Sequence, residues 1–349
     1  MSGRQWAGQQ TQDDGAGARR GAVPGEPSLL EISDVEVEYR PRGRGRVRAV
    51  AGVSLDVAAG QIVGLVGESG CGKSSLARVA VGLTAPSAGA IRFAGQPVTP
   101  LGWRRRPGTE IGLQMVFQNP YASLNPRRTI GAQLLDGVPA EVTGAARRDR
   151  VPELLDRVGM PATAADRYPH QFSGGQRQRL AIARALAPQP RMIIADEPVT
   201  ALDASSQAQV VNLLVGLVRD LDMGMLFISH DLALVHEIAD VTAVMYLGRI
   251  VESAPTRELW RDPRHPYTRA LIDAVPQIGP APRLPATLAG EVPDPANAPT
   301  GCRFRPRCPH AFAPCGDEPP TVELGGRSAA CWLTEPEEPG HRARPPRKS

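Results

Sequence analysis

One short stretch of the sequence combines glycines, a lysine and serines immediately after an apolar run. The apolar residues 62–66 are followed by Gly67, Glu68, Ser69, Gly70, Cys71, Gly72, Lys73, Ser74 and Ser75. Glycines let backbone N–H groups turn inward and surround phosphate oxygens without a Cβ clash. A helix predicted over residues 73–83 would direct its positive N-terminal end at the same phosphates, with Lys73 on the β- and γ-phosphates and Ser74 on Mg²⁺. The spacing therefore predicts a site for ATP or GTP.

Two adjacent acids close another apolar run. Residues 190–195 have the pattern of a short buried strand, and Asp196 and Glu197 follow at its carboxyl end. At a phosphate site the first carboxylate can hold the Mg²⁺ shell, and the second can orient or deprotonate the attacking water. The acid pair therefore indicates that the bound nucleotide is hydrolysed.

A second glycine-containing motif opens another predicted helix. Ser173, Gly174, Gly175 and Gln176 precede residues 177–186, which have helical character. Such a helix start is a second potential anion-binding end. One active site does not need two such ends in one chain, but two subunits arranged head to tail would use both. The sequence thus predicts half-sites that are completed by a partner.

In this order the motifs resemble those of the nucleotide-binding subunit of ATP-binding-cassette (ABC) transporters, over about residues 29–275. The resemblance extends to Gln118, to the triplet Ala201-Leu202-Asp203 and to His230. It implies an α/β fold, namely a P-loop NTPase core of the RecA-like type with an antiparallel β subdomain and an α-helical subdomain inserted at about residues 119–185. Alternating apolar residues near Val53 and Ile91 favour the β subdomain, and helical spacing over residues 148–158 favours the inserted helices.

The resemblance also implies a role for each matching residue. Residues 67–75 would bind ATP, and Tyr39 would stack on the adenine, although its alternating strand could instead bury the ring. The Mg²⁺ ligands would be Ser74, Gln118 and Asp196, and the catalytic residues would be Glu197, His230 and Gln118. Residues 173–176 would contact the γ-phosphate bound by the opposite subunit, and Asp203 would communicate across the dimer.

The carboxyl-terminal part narrows the resemblance. Residues 265–271 and 274–276 are similar to the tail of ATPases that serve oligopeptide and dipeptide uptake systems. Four of the five cysteines then follow within thirty residues, at Cys302, Cys308, Cys315 and Cys331. Four thiolates match the ligand count of a 4Fe–4S cluster or a structural zinc, but the paired Cys-x2-Cys spacing of zinc ribbons is absent. The resemblance associates this extension with a 4Fe–4S cluster, which we expect here, with zinc and free thiols as the alternatives.

Composition agrees with a soluble, intracellular protein of 349 residues and formal net charge +4. No apolar run approaches the roughly 18 residues that span a bilayer, and the N-terminus lacks a signal-peptide core. We expect disordered ends at residues 1–27 and 335–349, a nucleotide-binding domain at 28–275 and a small cysteine-rich extension at 276–334. The basic residues are scattered, so no nucleic-acid partner is expected.

The expected function is ATP hydrolysis that powers the import of di- or oligopeptides. A subunit without a membrane span would dock, as a peripheral protein, on two permeases at the cytoplasmic face of the cell membrane. An extracytoplasmic substrate-binding protein would deliver the cargo. Residues 117–128 resemble the second of the two ATPases that pair in these systems, which favours a heterodimer with a sister ATPase over a homodimer. The alternatives are a cargo of nickel, glutathione or oligosaccharides, and a cassette ATPase without a transport role.

Overall fold

A computed structural model describes residues 28–40, 45–102, 111–276 and 290–334. The predictions for residues 1–27 and 335–349 lie outside these described residues. The strands are β1 (Ser28–Tyr39), β2 (Val47–Ala58), β3 (Ile62–Val66), β4 (Ala88–Phe93), β5 (Gln96–Pro97), β6 (Leu113–Val116), β7 (Met192–Asp196), β8 (Gly224–Ser229), β9 (Val241–Tyr246), β10 (Arg249–Pro255), β11 (Thr321–Leu324) and β12 (Arg327–Ala330). The helices are α1 (Lys73–Ala80), α2 (Pro120–Ser123), α3 (Ile130–Gly137), α4 (Gly144–Arg157), α5 (Gly174–Leu186), α6 (Ala204–Asp220), α7 (Leu232–Ile238), α8 (Thr256–Arg261) and α9 (Pro266–Asp273).

The central sheet carries the predicted nucleotide core. Within the described residues it has the strand order β11-β12-β10-β9-β3-β8-β7-β6, and the five strands from β9 to β6 are parallel. Every residue of β3, β7 and β8 is buried, as is typical of parallel strands that helices cover on both faces. Because parallel strands end at the same edge, the segments that follow β3, β7 and β8 are brought together there.

The predicted antiparallel subdomain is confirmed. Strands β2, β1, β4 and β5 form a second sheet in that order, and all of their pairings are antiparallel. Along β2, Val53, Leu55 and Val57 are buried while their neighbours face outward, which is the period-2 burial of a sheet with one covered face. At the end of β1 the residue Tyr39 is 36% exposed, so the alternative in which the core buries this residue is wrong.

Helices α2 to α5 lie between β6 and β7, where the sequence predicts the inserted helical subdomain. Their apolar faces share one core, in which Leu134, Leu154 and Leu180 are almost fully buried. The segment predicted over residues 148–158 is α4, which begins earlier, at Gly144. Helix α1 is shorter than the predicted residues 73–83, because Gly82 adopts a left-handed conformation with φ +70° and ends it.

The cysteine-rich segment adds strands to the nucleotide core. Strand β12 pairs with β10, and β11 pairs with β12, so a hairpin at residues 321–330 widens the central sheet. Phe304 from the same segment is buried in the main core. The extension therefore packs directly on the nucleotide-binding part of the chain. Across the described ranges, no helix has the length and apolarity needed to cross a membrane.

Candidate active site

The predicted phosphate loop connects β3 to α1, and two of its backbone positions require glycine. Gly67 and Gly72 have φ values of +155° and +110°. A Cβ at Gly67 would collide with the carbonyl oxygen of Met245, and a Cβ at Gly72 would collide with that of Ala49. The loop can therefore lie this close to the neighbouring chain segments only because these two residues lack side chains.

The loop presents positive charge at the start of α1. No side chain caps this helix, and its first turn contains no acid, so its first N–H groups are available to an anion. Lys73 is only 4% exposed, and its Nζ donates to the carbonyl oxygens of Gly67 (2.7 Å) and Glu68 (3.1 Å). The ammonium group is thus held inside the loop, where a phosphate would meet it.

Ser74 and Asp196 meet at the carboxyl edge of the sheet. The Ser74 hydroxyl donates to Asp196 Oδ1 at 2.9 Å, although 122 residues separate the two positions. Burial raises the pKa of Asp196, while the hydrogen bond from Ser74 opposes that rise. Hydroxyl and carboxylate oxygens are suitable ligands for Mg²⁺. This pair of side chains can therefore hold a metal ion beside the phosphate loop.

Glu197 follows β7 and is the focus of contacts from three loops. Its Oε2 accepts hydrogen bonds from Gln118 Nε2 at 3.2 Å and from Thr200 Oγ1 at 3.1 Å. The Nδ1 of His230, which follows β8, lies 3.5 Å from the same oxygen. The Glu197 backbone has φ +45°, a strained value for a non-glycine residue that is often found at functional sites. The Glu197 carboxylate is thus held next to Asp196, whose carboxylate oxygens are suitable metal ligands.

These positions together provide the groups that phosphoryl transfer to water requires. The phosphate loop and Lys73 can provide positive charge and N–H donors, Ser74 and Asp196 can provide metal ligands, and Glu197 can provide a proton acceptor. The structure brings His230 close to Glu197, as the resemblance implies, and it also brings Gln118 into hydrogen-bond contact with Glu197. Thr200 was not expected at this site, and only its position three residues after Glu197 could have signalled it.

Tyr39 lies at the rim of the phosphate loop. Its hydroxyl donates to Ser75 Oγ at 3.3 Å, and its ring is partly exposed to solvent. An exposed ring in this position is available for stacking on a planar base. The structure therefore places Tyr39 where an adenine contact is geometrically possible.

The Ser173 motif and Asp203 form a separate surface. Ser173 Oγ accepts from the N–H of Gln176 at 3.3 Å, and Gln176 Oε1 accepts from the N–H of Ser173 at 3.0 Å, which is a capping box at the start of α5. Asp203 caps α6, and its hydrogen bonds with Ser206 lower its pKa. A Cβ on Gly175 would meet Ser206, so the two caps are adjacent. The pocket beside them is lined by no phosphate-loop residue among those described.

The four cysteines of the C-terminal segment lie near one another, and all five cysteines of the chain are free thiols. Burial and the charges of the other thiolates raise the pKa of Cys302 and Cys308, and raise that of Cys331 to about 11. The Cys302 N–H also donates to the carbonyl oxygen of Cys315 at 3.2 Å. Nevertheless, no three His, Cys, Asp or Glu side chains in the described ranges are arranged to hold a single metal ion.

Two further residues reach the phosphate loop from the C-terminal part. The hydroxyl oxygen of Tyr267 accepts from the N–H of Glu68 at 3.0 Å, and the guanidinium of Arg307 pairs with the Glu68 carboxylate. Tyr267 belongs to the motif at residues 265–271, but nothing in that motif indicates this contact. Arg307 has no signal in the sequence beyond its position next to Cys308.

Comparison with known proteins agrees with this geometry. Residues 50–200 match the family described as ABC transporter, and residues 251–315 match the oligopeptide/dipeptide transporter C-terminal region. The chain is 46% identical to a di/tripeptide transport ATP-binding protein, DppF, of Pseudomonas aeruginosa, across 84% of this chain and 92% of that protein. It is 45% identical to a putative oligopeptide transport ATP-binding protein, YkfD, of Bacillus subtilis, across 87% of this chain and 95% of that protein.

Solved structures share the fold. CbiO1 of Clostridium perfringens, part of an ABC transporter complex, superposes with a TM-score of 0.59 at 26% identity, across 68% of this chain and 92% of that chain. A dimeric ATP-binding cassette in a post-hydrolysis state with ADP and Pi gives the same TM-score and identity, across 66% of this chain and 99% of that chain. The chain therefore belongs to the ATP-binding proteins of ABC transporters, in the branch with the oligopeptide/dipeptide transporter C-terminal region, and it is an ATPase of that family.

Proposed function

We propose that this chain hydrolyses ATP to power the import of di- or oligopeptides across the cytoplasmic membrane, through partner permeases. The single observation that carries the proposal is the meeting of Lys73, the Ser74–Asp196 pair and Glu197 at one edge of the parallel sheet. The peptide cargo is supported by the relatives, whose names describe di/tripeptide and oligopeptide transport.

ATP binds on residues 67–75 in this proposal, with the adenine stacked on Tyr39. The Mg²⁺ ion that accompanies the nucleotide is held by Ser74 and Asp196, and Gln118 reaches it from the next loop. The support is that Ser74 and Asp196 are already within hydrogen-bond distance of each other. A hydroxyl and a carboxylate so arranged offer the hard oxygen ligands that Mg²⁺ prefers.

Glu197 is the proton acceptor for the water that attacks the γ-phosphate. Gln118 and Thr200 donate hydrogen bonds to the Glu197 carboxylate, and His230 lies close to it. These contacts restrict the rotation of the Glu197 side chain. His230 is 53% exposed in its side chain, and we assign it a contact with the γ-phosphate as well as with Glu197. Binding geometry and fixed charge supply the catalysis, as in other phosphoryl transfer reactions.

A second ATPase subunit completes each site. Ser173 accepts a hydrogen bond from the backbone of Gln176, so its own O–H is available to donate to a γ-phosphate bound by the partner. Asp203, which caps the adjacent helix α6, faces the same surface and provides communication between the two subunits of the dimer. Two dimeric structures of one related ATP-binding cassette support the pairing. We propose that the partner is a sister ATPase and that the assembly is a heterodimer.

ATP drives the cycle because it contacts both subunits only when they are closed. Moving a population from mostly open to mostly closed needs about 5.5 kcal/mol of differential binding, which phosphate contacts on two facing subunits can supply. Closure moves helices α2 to α5, and two permeases docked at the cytoplasmic face of the membrane change access in response. An extracytoplasmic binding protein delivers the peptide to those permeases.

The four clustered cysteines hold a 4Fe–4S cluster in this proposal. In the described ranges no three His, Cys, Asp or Glu side chains are arranged to hold a metal ion, so the proposal rests on the number of thiols at Cys302, Cys308, Cys315 and Cys331. That number matches the four thiolates that would hold a 4Fe–4S cluster.

Transport by the reconstituted assembly tests the proposal. The chain, its sister ATPase, the permeases and the binding protein are placed in vesicles, and uptake of labelled dipeptides and longer peptides is measured with and without ATP. ATP-dependent peptide uptake that Glu197→Gln abolishes is the expected result. Uptake of nickel, glutathione or oligosaccharides in place of peptides would overturn the cargo assignment.

Two further measurements test the assembly and the cluster. Cross-linking between Ser173 of this chain and the sister subunit's phosphate loop should require ATP, and a product between two copies of this chain would contradict the heterodimer. Anaerobically purified protein should contain iron and acid-labile sulfide, and zinc without sulfide would refute the cluster.

A further inference from the structure

The cysteine-rich segment holds the phosphate loop at one residue, Glu68. Arg307 forms a two-point ion pair with it, with Nη1 2.7 Å from Oε2 and Nη2 3.0 Å from Oε1. The Arg307 side chain is 3% exposed, whereas that of Glu68 is 24% exposed. Paired guanidinium–carboxylate hydrogen bonds of this kind fix orientation as well as distance. The loop therefore receives a rigid contact from residues 239 positions away.

Every polar group of Glu68 has a partner that restricts the loop. Its N–H donates to the hydroxyl of the fully buried Tyr267, and its carboxylate is held by Arg307. Its carbonyl oxygen accepts from Lys73 Nζ at 3.1 Å. A displacement of Glu68 would therefore move the carbonyl that orients the phosphate-binding ammonium group.

Arg307 is itself held in place by its surroundings. Its guanidinium lies 5.9 Å from the ring centre of Tyr246 and 6.0 Å from that of Phe304, and Tyr246 Oη is within 3.5 Å of Nη1. The hydrogen bonds to Glu68 raise the pKa of Arg307, so the guanidinium group stays charged. A planar, permanently charged group packed against aromatic rings is well suited to a fixed contact.

The backbone of Arg307 belongs to a turn that two of the clustered cysteines bracket. The turn Arg305–Arg307 begins with a hydrogen bond from the Arg305 N–H to the Cys302 carbonyl at 3.0 Å. It ends with a hydrogen bond from the Cys308 N–H to the Arg305 carbonyl at 3.3 Å. The position of the guanidinium thus depends on how the cysteine-rich segment is folded.

We propose that Arg307 is a positioning residue for nucleotide binding: it fixes Glu68 and thereby Lys73, so that the affinity for ATP depends on the cysteine-rich segment. The inference rests on the proposed function, because it takes the phosphate loop to be the ATP site. Removing one partner of a buried ion pair leaves the other charge uncompensated and free to reorient. The loop would then lose its preorganised form before the nucleotide arrives.

The test compares Arg307→Gln with Arg305→Gln in the full chain, purified together with its partner subunits. Arg305 lies in the same turn but is exposed, so it is a matched control. A titration with a fluorescent ATP analogue should show a Kd about tenfold higher for Arg307→Gln, within the usual range of coupling between sites. Hydrolysis at saturating ATP should change less than twofold, because Arg307 does not touch the reacting atoms. Arg305→Gln should match the wild type in both measurements.

A double-variant comparison separates positioning from general stability. Glu68→Gln combined with Arg307→Gln should raise the Kd no further than either change alone, because both act on one contact. Arg307→Lys, which keeps the charge but not the paired geometry, provides a second test if Arg307→Gln does not fold, and its Kd should rise about threefold. Hydrogen exchange at residues 67–73 should become faster in these variants.

The outcomes distinguish this inference from the proposed function. An unchanged Kd in a folded Arg307→Gln protein, with only a lower unfolding temperature, would overturn the positioning role. An unchanged Kd for both Arg307→Lys and the double variant would overturn it equally. If Lys73→Ala binds the analogue as the wild type does, the phosphate loop is not the ATP site and the proposed function fails instead.

Discussion

Replacing Glu197 with glutamine separates nucleotide binding from hydrolysis. The Glu197 carboxylate receives hydrogen bonds from Gln118 at 3.2 Å and from Thr200 at 3.1 Å, both on Oε2. A glutamine side chain has the same length, and its amide oxygen can accept the same two hydrogen bonds. The backbone conformation at φ +45° is unchanged by the substitution. We therefore expect Glu197→Gln to fold and to bind ATP as the wild type does.

The chemical step should lose most of its rate, because an amide cannot take a proton from the attacking water. A well-placed general base contributes about 10²- to 10⁴-fold. At about 1.36 kcal/mol for each factor of ten, the barrier rises by about 2.7–5.4 kcal/mol. A loss of this size in kcat with an unchanged ATP Kd is the signature of a group that acts only in the transition state.

Phosphate release at saturating ATP, with the partner subunits present, measures the rate, and equilibrium titration measures the affinity. Glu237→Gln provides a matched control, since Glu237 is a largely exposed carboxylate outside the site, and it should leave both values unchanged. A Glu197→Gln protein that retains more than about a tenth of the wild-type turnover would refute the role of Glu197 as the base.

Three further predictions concern the phosphate loop and the metal ligands. Lys73→Ala should raise the Kd for a fluorescent ATP analogue about 10- to 100-fold, since a charged hydrogen bond to phosphate is lost; an unchanged titration would contradict this. Gly72→Ala should lower the urea midpoint more than Gly70→Ala, because a Cβ collides with the Ala49 carbonyl only at Gly72, and at Gly70 the left-handed backbone alone costs about 1–2 kcal/mol. Burial raises the pKa of the Asp196 carboxyl group above its ordinary 3.8, so the folded chain binds the carboxyl proton more tightly than the unfolded chain does. The folded state therefore loses stability as the pH rises from about 3.8 through the raised pKa of the folded state. Asp196→Asn should therefore raise the unfolding temperature of the nucleotide-free, Mg²⁺-free protein at pH 7 and abolish further stabilisation by Mg²⁺–ATP; a lower unfolding temperature would show that the buried charge is not the dominant effect.

The convergence of Ser74, Asp196 and Glu197 could be predicted because the rule that joins them is simple. Each follows a short apolar run, and parallel strands with buried runs end at one edge of their sheet. The hydrogen bond between Ser74 and Asp196 is consistent with that rule across 122 residues. The length of α1 was less predictable, because Gly82 ends the helix where the apolar pattern alone continues.

No such rule predicts contacts that form only when the tertiary fold brings separate segments of the chain together. Thr200 reaches Glu197 because the turn after β7 folds back on itself, and the exposure of Tyr39 depends on how β1 ends against the phosphate loop. Arg307 pairs with Glu68 only because the C-terminal hairpin extends the central sheet and brings its segment over the loop. Neither spacing nor periodicity records such a contact.

The amino-acid order alone determined the nucleotide chemistry of this protein, because phosphate binding uses a local pattern of glycines, a lysine and a helix start that a few consecutive residues encode. It also contained the paired acids Asp196 and Glu197, which predict hydrolysis, and the second helix start at Ser173, which predicts a partner subunit. Only the tertiary structure decided that Glu68 is held by Tyr267 and Arg307. The physical reason is that an ion pair between distant residues depends on the packing of whole elements, and side-chain identity at either position does not specify the other.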